Sequence, residues 1–194
     1  MILQLIIMIL KYLLFLVSFL MLKPSFSQSK SEIILKKANE LYTKNYNASF
    51  DLCCQAEKIN DIRFIGEVSM CKARYYITFT DYENGEIELS KAISFYSKKK
   101  DLISLSDAYD LKSILLDRIG DTASSSYFQL KAYQISKKSG DVNSQIKRLI
   151  NLSNTYLDYN NLSKAIYFLD KLELLSSDFD SRNYYYFYQN KGAY

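Results

Sequence analysis

"IGDTASSSYFQLKAYQISKKSGD", residues 119–141, carries the same dipeptide near both ends, Gly120-Asp121 and Gly140-Asp141. Glycine accepts the left-handed conformation that stops a helix one residue past its end. Aspartate starts the next helix, because its carboxylate accepts hydrogen bonds from the first free backbone N–H groups. Gly-Asp is thus a stop and a start in two residues. As one helix, residues 122–139 would run about 27 Å at 1.5 Å per residue. Phe128, Ala132 and Ile135 fall on one side of it, with Tyr127 and Leu130 beside them, which makes a broad apolar face.

The punctuation recurs with other residues. Lys100-Asp101 precedes "LISLSDAYDLKSILLDRI", and Asn160-Asn161 precedes "LSKAIYFLDKLELL". Asn45 divides one more pair of apolar stretches, and Glu83-Asn84-Gly85 is read as dividing another. The spacing predicts helices near 31–44, 47–60, 64–82, 86–100, 102–119, 122–139, 142–159, 162–176 and 182–194. Paired into hairpins, they repeat every 34 to 40 residues or so, a period that marks a helical solenoid.

Composition agrees with an all-α chain. Pro24 is the single proline and there are five glycines in 194 residues, so strand and hairpin punctuation is scarce. Histidine is absent, which removes the commonest general base and the commonest metal ligand together.

The chain resembles the tetratricopeptide repeat family over nearly all of residues 31–194. The clearest copy is "IKRLINLSNTYLDYNNLSKAIYFLDKLELL", residues 146–175. Leu149, Leu152, Ser153 and Tyr156 match the first helix of the repeat, and Ala165, Leu169 and Leu172 the second. The preceding copy has Gly120-Asp121 at the turn and Ser125 and Ala132 at small positions. "ANELYTKNYNASFDLCCQAEKI" supplies Ala38, Leu41, Tyr46, Ser49 and Ala56, and the stretch 64–100 keeps Ala92, Phe95 and Tyr96. The resemblance implies a right-handed α-solenoid of antiparallel helix pairs with about four and a half repeats, near 31–60, 64–100, 102–139, 142–177 and an incomplete 182–194. It also implies a concave groove for an extended peptide or a partner's helix. Asn39 and Tyr42 would face that groove in the first repeat. Asp110, Ile114, Asp117 and Arg118 would do so in the third, and Ile150, Asn154, Leu157 and Asp158 in the fourth. The alternative is that these positions form a solvated face. The lysine that clamps a C-terminal carboxylate in some relatives is replaced by Leu35 and Ile150, so that mode of binding is not expected.

Little else carries chemistry. Cys53, Cys54 and Cys71 are read first as small apolar residues in the packing. A bridge from Cys71 to Cys53 or to Cys54 is the alternative, and an odd cysteine count leaves one over. "DYENGEIE", residues 81–88, lacks alternating calcium ligands ahead of its glycine and is read as a polar turn. Asp178 and Asp180 are assigned to helix ending and capping. No phosphate loop or nucleophile elbow occurs, and neither catalysis nor a cofactor or metal is expected.

Residues 1–27 are set aside from the fold. "MILQLIIMILKYLLFLVSFLMLKPSFSQ" has an apolar run from Tyr12 to Leu22 broken only by Ser18, then Ser25-Phe26-Ser27, which fits cleavage between Ser27 and Gln28. A membrane anchor is the alternative, and Lys11 in mid-span would cost it about 2.5–3.5 kcal/mol. Loss of Lys11 and Lys23 with the segment lowers the formal net charge from +4 to +2. That balance does not suit a nucleic-acid partner. "RNYYYFYQNKGAY" resembles the first helix of a fifth repeat, so the chain is expected to continue past Tyr194, or else a partner or second copy covers that face. The expectation is an exported, periplasmic or extracytoplasmic module that binds a protein or peptide. It would be the sensory or scaffold part of a longer signalling protein, touching the membrane only through its export segment or downstream sequence. A free-standing periplasmic assembly adaptor is the alternative.

Overall fold

The structure is a computed structural model and describes residues 28–192. The expected export segment, residues 1–27, and the last two residues lie outside them. Among the described residues the chain is helical throughout. The helices are α1 Lys30–Leu41, α2 Tyr46–Ile59, α3 Ile65–Thr78, α4 Tyr82–Lys99, α5 Leu102–Arg118, α6 Thr122–Ser139, α7 Val142–Asp158, α8 Leu162–Glu173 and α9 Ser181–Lys191. A 3-10 turn, Ser176–Asp178, precedes the last.

The punctuation works as local chemistry requires. Asp121 accepts from the Ser124 N–H at 3.0 Å, Asp141 from Ser144 at 2.6 Å, and Asp180 from Asn183 at 2.7 Å. Gly120 and Gly140 have φ of 86° and 74°, and a Cβ at either would meet nothing within 4 Å, so backbone conformation alone selects glycine there. Asn60, Thr80, Lys100 and Asn160 occupy the same left-handed region. Thr80, Gly120 and Asn160 are forty residues apart, as are Asn60, Lys100 and Gly140. The repeat is longer than the 34 residues of a tetratricopeptide unit, and α4 to α7 reach 17 or 18 residues each.

That forty-residue ruler corrects one expectation. Glu83-Asn84-Gly85 does not separate two helices. The separator is Thr80-Asp81: α3 ends at Thr78, and Asp81 caps α4 by accepting from the Asn84 N–H. "DYENGEIE" is therefore the first turns of a helix rather than a polar turn. Gly85 is buried inside α4, where a Cβ would lie 3.1 Å from Ile77 Cγ1 and 3.3 Å from Leu115 Cδ1. It belongs to a column of small residues four places past each cap, with Ser49, Ser125 and Ala165. Ala73, Ser113 and Ser153 form a matching buried column on α3, α5 and α7. Small side chains let successive helices approach closely.

The core is a series of patches along the chain. Leu35, Ala56 and Val68 join α1, α2 and α3. Met70, Ala73, Ile77, Leu89, Ala92 and Leu115 join α3, α4 and α5. Ile146, Leu149, Leu152, Phe168, Leu172 and Phe187 join α7, α8 and α9. Each helix packs on its sequence neighbours, which is the arrangement of a solenoid.

The cysteines depart from the packing reading. Cys53 and Cys71 form a disulfide between α2 and α3, with Cα atoms 6.1 Å apart, while Cys54 remains a half-buried free thiol. Cys53 and Cys71 both turn into the seam with Ala38, which leaves Cys54 one residue off that face. Burial pushes the Cys54 thiol pKa up.

Candidate functional site

Besides packing on its neighbour in sequence, each odd-numbered helix touches the next odd-numbered one; even-numbered helices make no comparable contact with one another among the described residues. The odd helices α1, α3, α5, α7 and α9 therefore line the tighter, inner side of the curve. Polar side chains stitch that side together at one-repeat separations. Arg74 Nη1 donates to Asn39 Oδ1 at 3.2 Å, Arg118 Nη1 to the Ile77 carbonyl at 2.9 Å, and Asn190 Nδ2 to Ser153 Oγ at 2.8 Å. Between α5 and α7, Arg148 pairs with both Asp107 and Asp110, and Asn151 Nδ2 reaches the two Asp110 oxygens at 3.0 Å.

Four hollows follow one another along this side and share residues. One of 610 Å³ between α1 and α3 shares Asn39 and Glu67 with one of 160 Å³ that reaches α5. That second hollow shares Met70, Arg74 and Asp107 with one of 300 Å³ reaching α7. The third shares Lys147 and Asn151 with one of 430 Å³ between α7 and α9. Together they make one continuous trough along all five odd helices.

The sequence-derived groove residues divide by environment. Asn39, Tyr42, Asp110, Ile114 and Ile150 line the trough. Ile114 is 38% exposed there. Asp110 is buried, with its carboxylate held by Arg148 and Asn151, and Ile150 is part of the C-terminal apolar cluster. Asp117 is taken up by the Tyr159 hydroxyl, which donates to it at 2.6 Å; burial, together with this bond, pushes the Tyr159 pKa up to about 12. Arg118 is committed to the carbonyl end of α3, where a cation complements the helix dipole. Leu157 packs against the apolar cluster, Asn154 is half-buried on α7, and Asp158 is exposed at its last turn.

The second repeat, for which the sequence reading named no groove residue, contributes Glu67, Met70 and Arg74 from α3. Arg74 stands forty residues before Ile114 and eighty before Asn154, so the ruler set by Thr80 and Gly120 would have found it. Glu67 Oε2 is buried with no hydrogen-bond partner, and burial lifts its carboxyl pKa. Asp107, Lys147, Arg148 and Asn151 were also missed. The roles of Asp107, Arg148 and Asn151 depend on contacts across a whole repeat.

No family model matches this sequence, and no curated protein is significantly similar to it. Among solved structures the chain is similar to the crystal structure of the apo form of RapI, with 16% identity and a TM-score of 0.64. The match covers 84% of this chain and 61% of that one, so the chain spans less than two thirds of RapI's length. At this identity the likeness speaks for the fold, a helical repeat, and for no individual residue of the trough.

Proposed function

We propose that this chain is a non-catalytic protein-interaction module that holds an extended segment of a partner in the trough of its odd helices. The observation that carries this reading is the continuity of the four hollows across repeats. A surface of this shape offers successive sites to an extended chain rather than one pocket to a small molecule. Helical-repeat likeness to RapI is in keeping with a binding role. We further propose that the module is exported after cleavage between Ser27 and Gln28, and that it serves as the extracytoplasmic sensory or scaffold part of a longer signalling protein. The Cys53–Cys71 bridge supports export, since disulfides persist in oxidising compartments.

The test is site-specific photo-crosslinking in cells, with the probe at Lys147 inside the trough or at Tyr167 on outer helix α8. Adducts are expected from Lys147 alone, and Ile114→Asp should remove them. Equal labelling from Tyr167, or adducts indifferent to Ile114→Asp, would refute groove binding. Mass spectrometry of the native protein checks export separately: the expected amino-terminal residue is Gln28. An apolar stretch of about twenty residues encoded soon after Tyr194 would favour the signalling reading, and its absence the free-standing periplasmic adaptor.

A further inference from the structure

The trough is electrically two-ended. At its α1–α3 end, Glu32 and Glu40 flank Lys36 one turn away on either side, and Glu67 adds a third carboxylate. No cation lies within ion-pairing distance of Glu67 or Glu40 among the described residues. In the middle, Asp107 and Asp110 are balanced by Arg148, with Arg74 beside them. At the α7–α9 end the exposed bases are Lys147 and Arg182, and neither has a carboxylate partner among the described residues. Asp180, the acid in that lining, caps α9 by accepting from the Asn183 N–H.

Charges of one sign gathered at one end of a concave face steer what binds there, most strongly at low salt. The floor between the two ends is neutral or apolar, with Met70, Leu111 and Ile114 among its residues. A uniformly acidic segment would meet repulsion from Glu67, and a uniformly basic one from Lys147 and Arg182. Stacked helices lie about 8–10 Å apart, so the three steps from α3 to α9 cover about 27 Å. An extended chain spans that with about eight residues.

Resting on the groove reading above, we infer that the occupant is an extended peptide segment of about eight residues with a basic block at one end and an acidic block at the other. The basic block lies against Glu67 and the acidic block against Lys147 and Arg182.

Four immobilised octapeptide libraries test this, each with four randomised central positions and blocked termini. The first carries Lys-Lys at one end and Glu-Glu at the other, with both orders pooled. The others carry Lys-Lys, Glu-Glu or Gln-Gln at both ends. The full chain should bind the first library at least tenfold better than any other. The double variant Lys147→Glu, Arg182→Glu changes only exposed side chains and should shift the preference to the Lys-Lys library. Binding that is equal across libraries, or a preference unmoved by the double variant, overturns the charge assignment and leaves the groove intact. Binding to none of the four overturns the groove reading itself.

Discussion

The first joint of the solenoid, where α1 and α2 meet α3, and the third joint, where α5 and α6 meet α7, use the same step of the chain but hold it differently. At the first, the buried apolar patches are small: Leu35, Ala56 and Val68 in one, and Ala38 with the two bridged cysteines in the other. A covalent tie, Cys53–Cys71, supplements them. At the third, Leu130 and Tyr133 of α6 pack against the ten-residue apolar cluster that α7, α8 and α9 build, and Arg148 is buried to 2% exposure between Asp107 and Asp110. A terminal repeat has one neighbour to bury against and an interior repeat has two. Among the described residues the pair α1–α2 packs on one further pair and the pair α5–α6 on two, so a cross-link adds most at the first joint, whereas the third has the burial to tolerate an internal ion cluster.

The largest effect should come from the third joint. Arg148→Met leaves Asp110 buried and Asp107 half-buried without their cation, and should cost about 3–5 kcal/mol in urea unfolding. A loss below about 1 kcal/mol would mean that the apolar contacts of α6 with α7 hold this joint without the ion cluster. Next comes the first joint. The bridged cysteines are 18 residues apart, and closing a loop of that size is worth about 3 kcal/mol. Cys53→Ala with Cys71→Ala should lose that amount and expose α1 and α2 to hydrogen exchange, while α7 to α9 stay protected. Cys54→Ala should do neither, and uniform loss of protection would abolish the contrast between the joints.

Smaller effects belong to the turns. Gly120→Ala forces a side chain into the left-handed region and should cost about 1 kcal/mol, whereas Thr80→Gly relieves the same strain and should gain up to about 1 kcal/mol in thermal unfolding. Effects of the same sign would show that space, not φ, governs these stops. The smallest concerns Glu67, whose folded pKa is raised by burial. Its stabilising contribution is present below the unfolded carboxylate pKa and is lost as pH rises through the raised folded value. Glu67→Gln should therefore match the native chain in acid and melt slightly higher at pH 7.

Most of the helices were legible because stops and caps act within four residues. Gly120-Asp121, Gly140-Asp141 and Asn160-Asn161 do what their residue types suggest, and Asp101 caps α5 although Lys100 before it takes a positive φ. Thr80-Asp81 was passed over because threonine is a poor candidate for a positive φ, and Asn84-Gly85 looks like a turn by every local rule. Gly85 answers to packing instead: a Cβ there would crowd the Ile77 and Leu115 side chains at 3.1 and 3.3 Å. Misplacing that turn hid the register of α3, and with it Met70 and Arg74. Of the trough residues named from sequence, Asp117 and Arg118 proved to be committed to neighbouring helices.

By itself, then, the sequence determined an all-helical chain of consecutive pairs and, to within a residue, where every helix but α4 begins. Tertiary structure alone decided that Cys71 bonds Cys53 and not Cys54, that Gly85 sits in a helix, and which polar side chains of the inner face are already engaged. Helix punctuation is a short-range matter of backbone conformation and capping. The other outcomes depend on partners as much as forty residues away, and no local preference records which of them will meet.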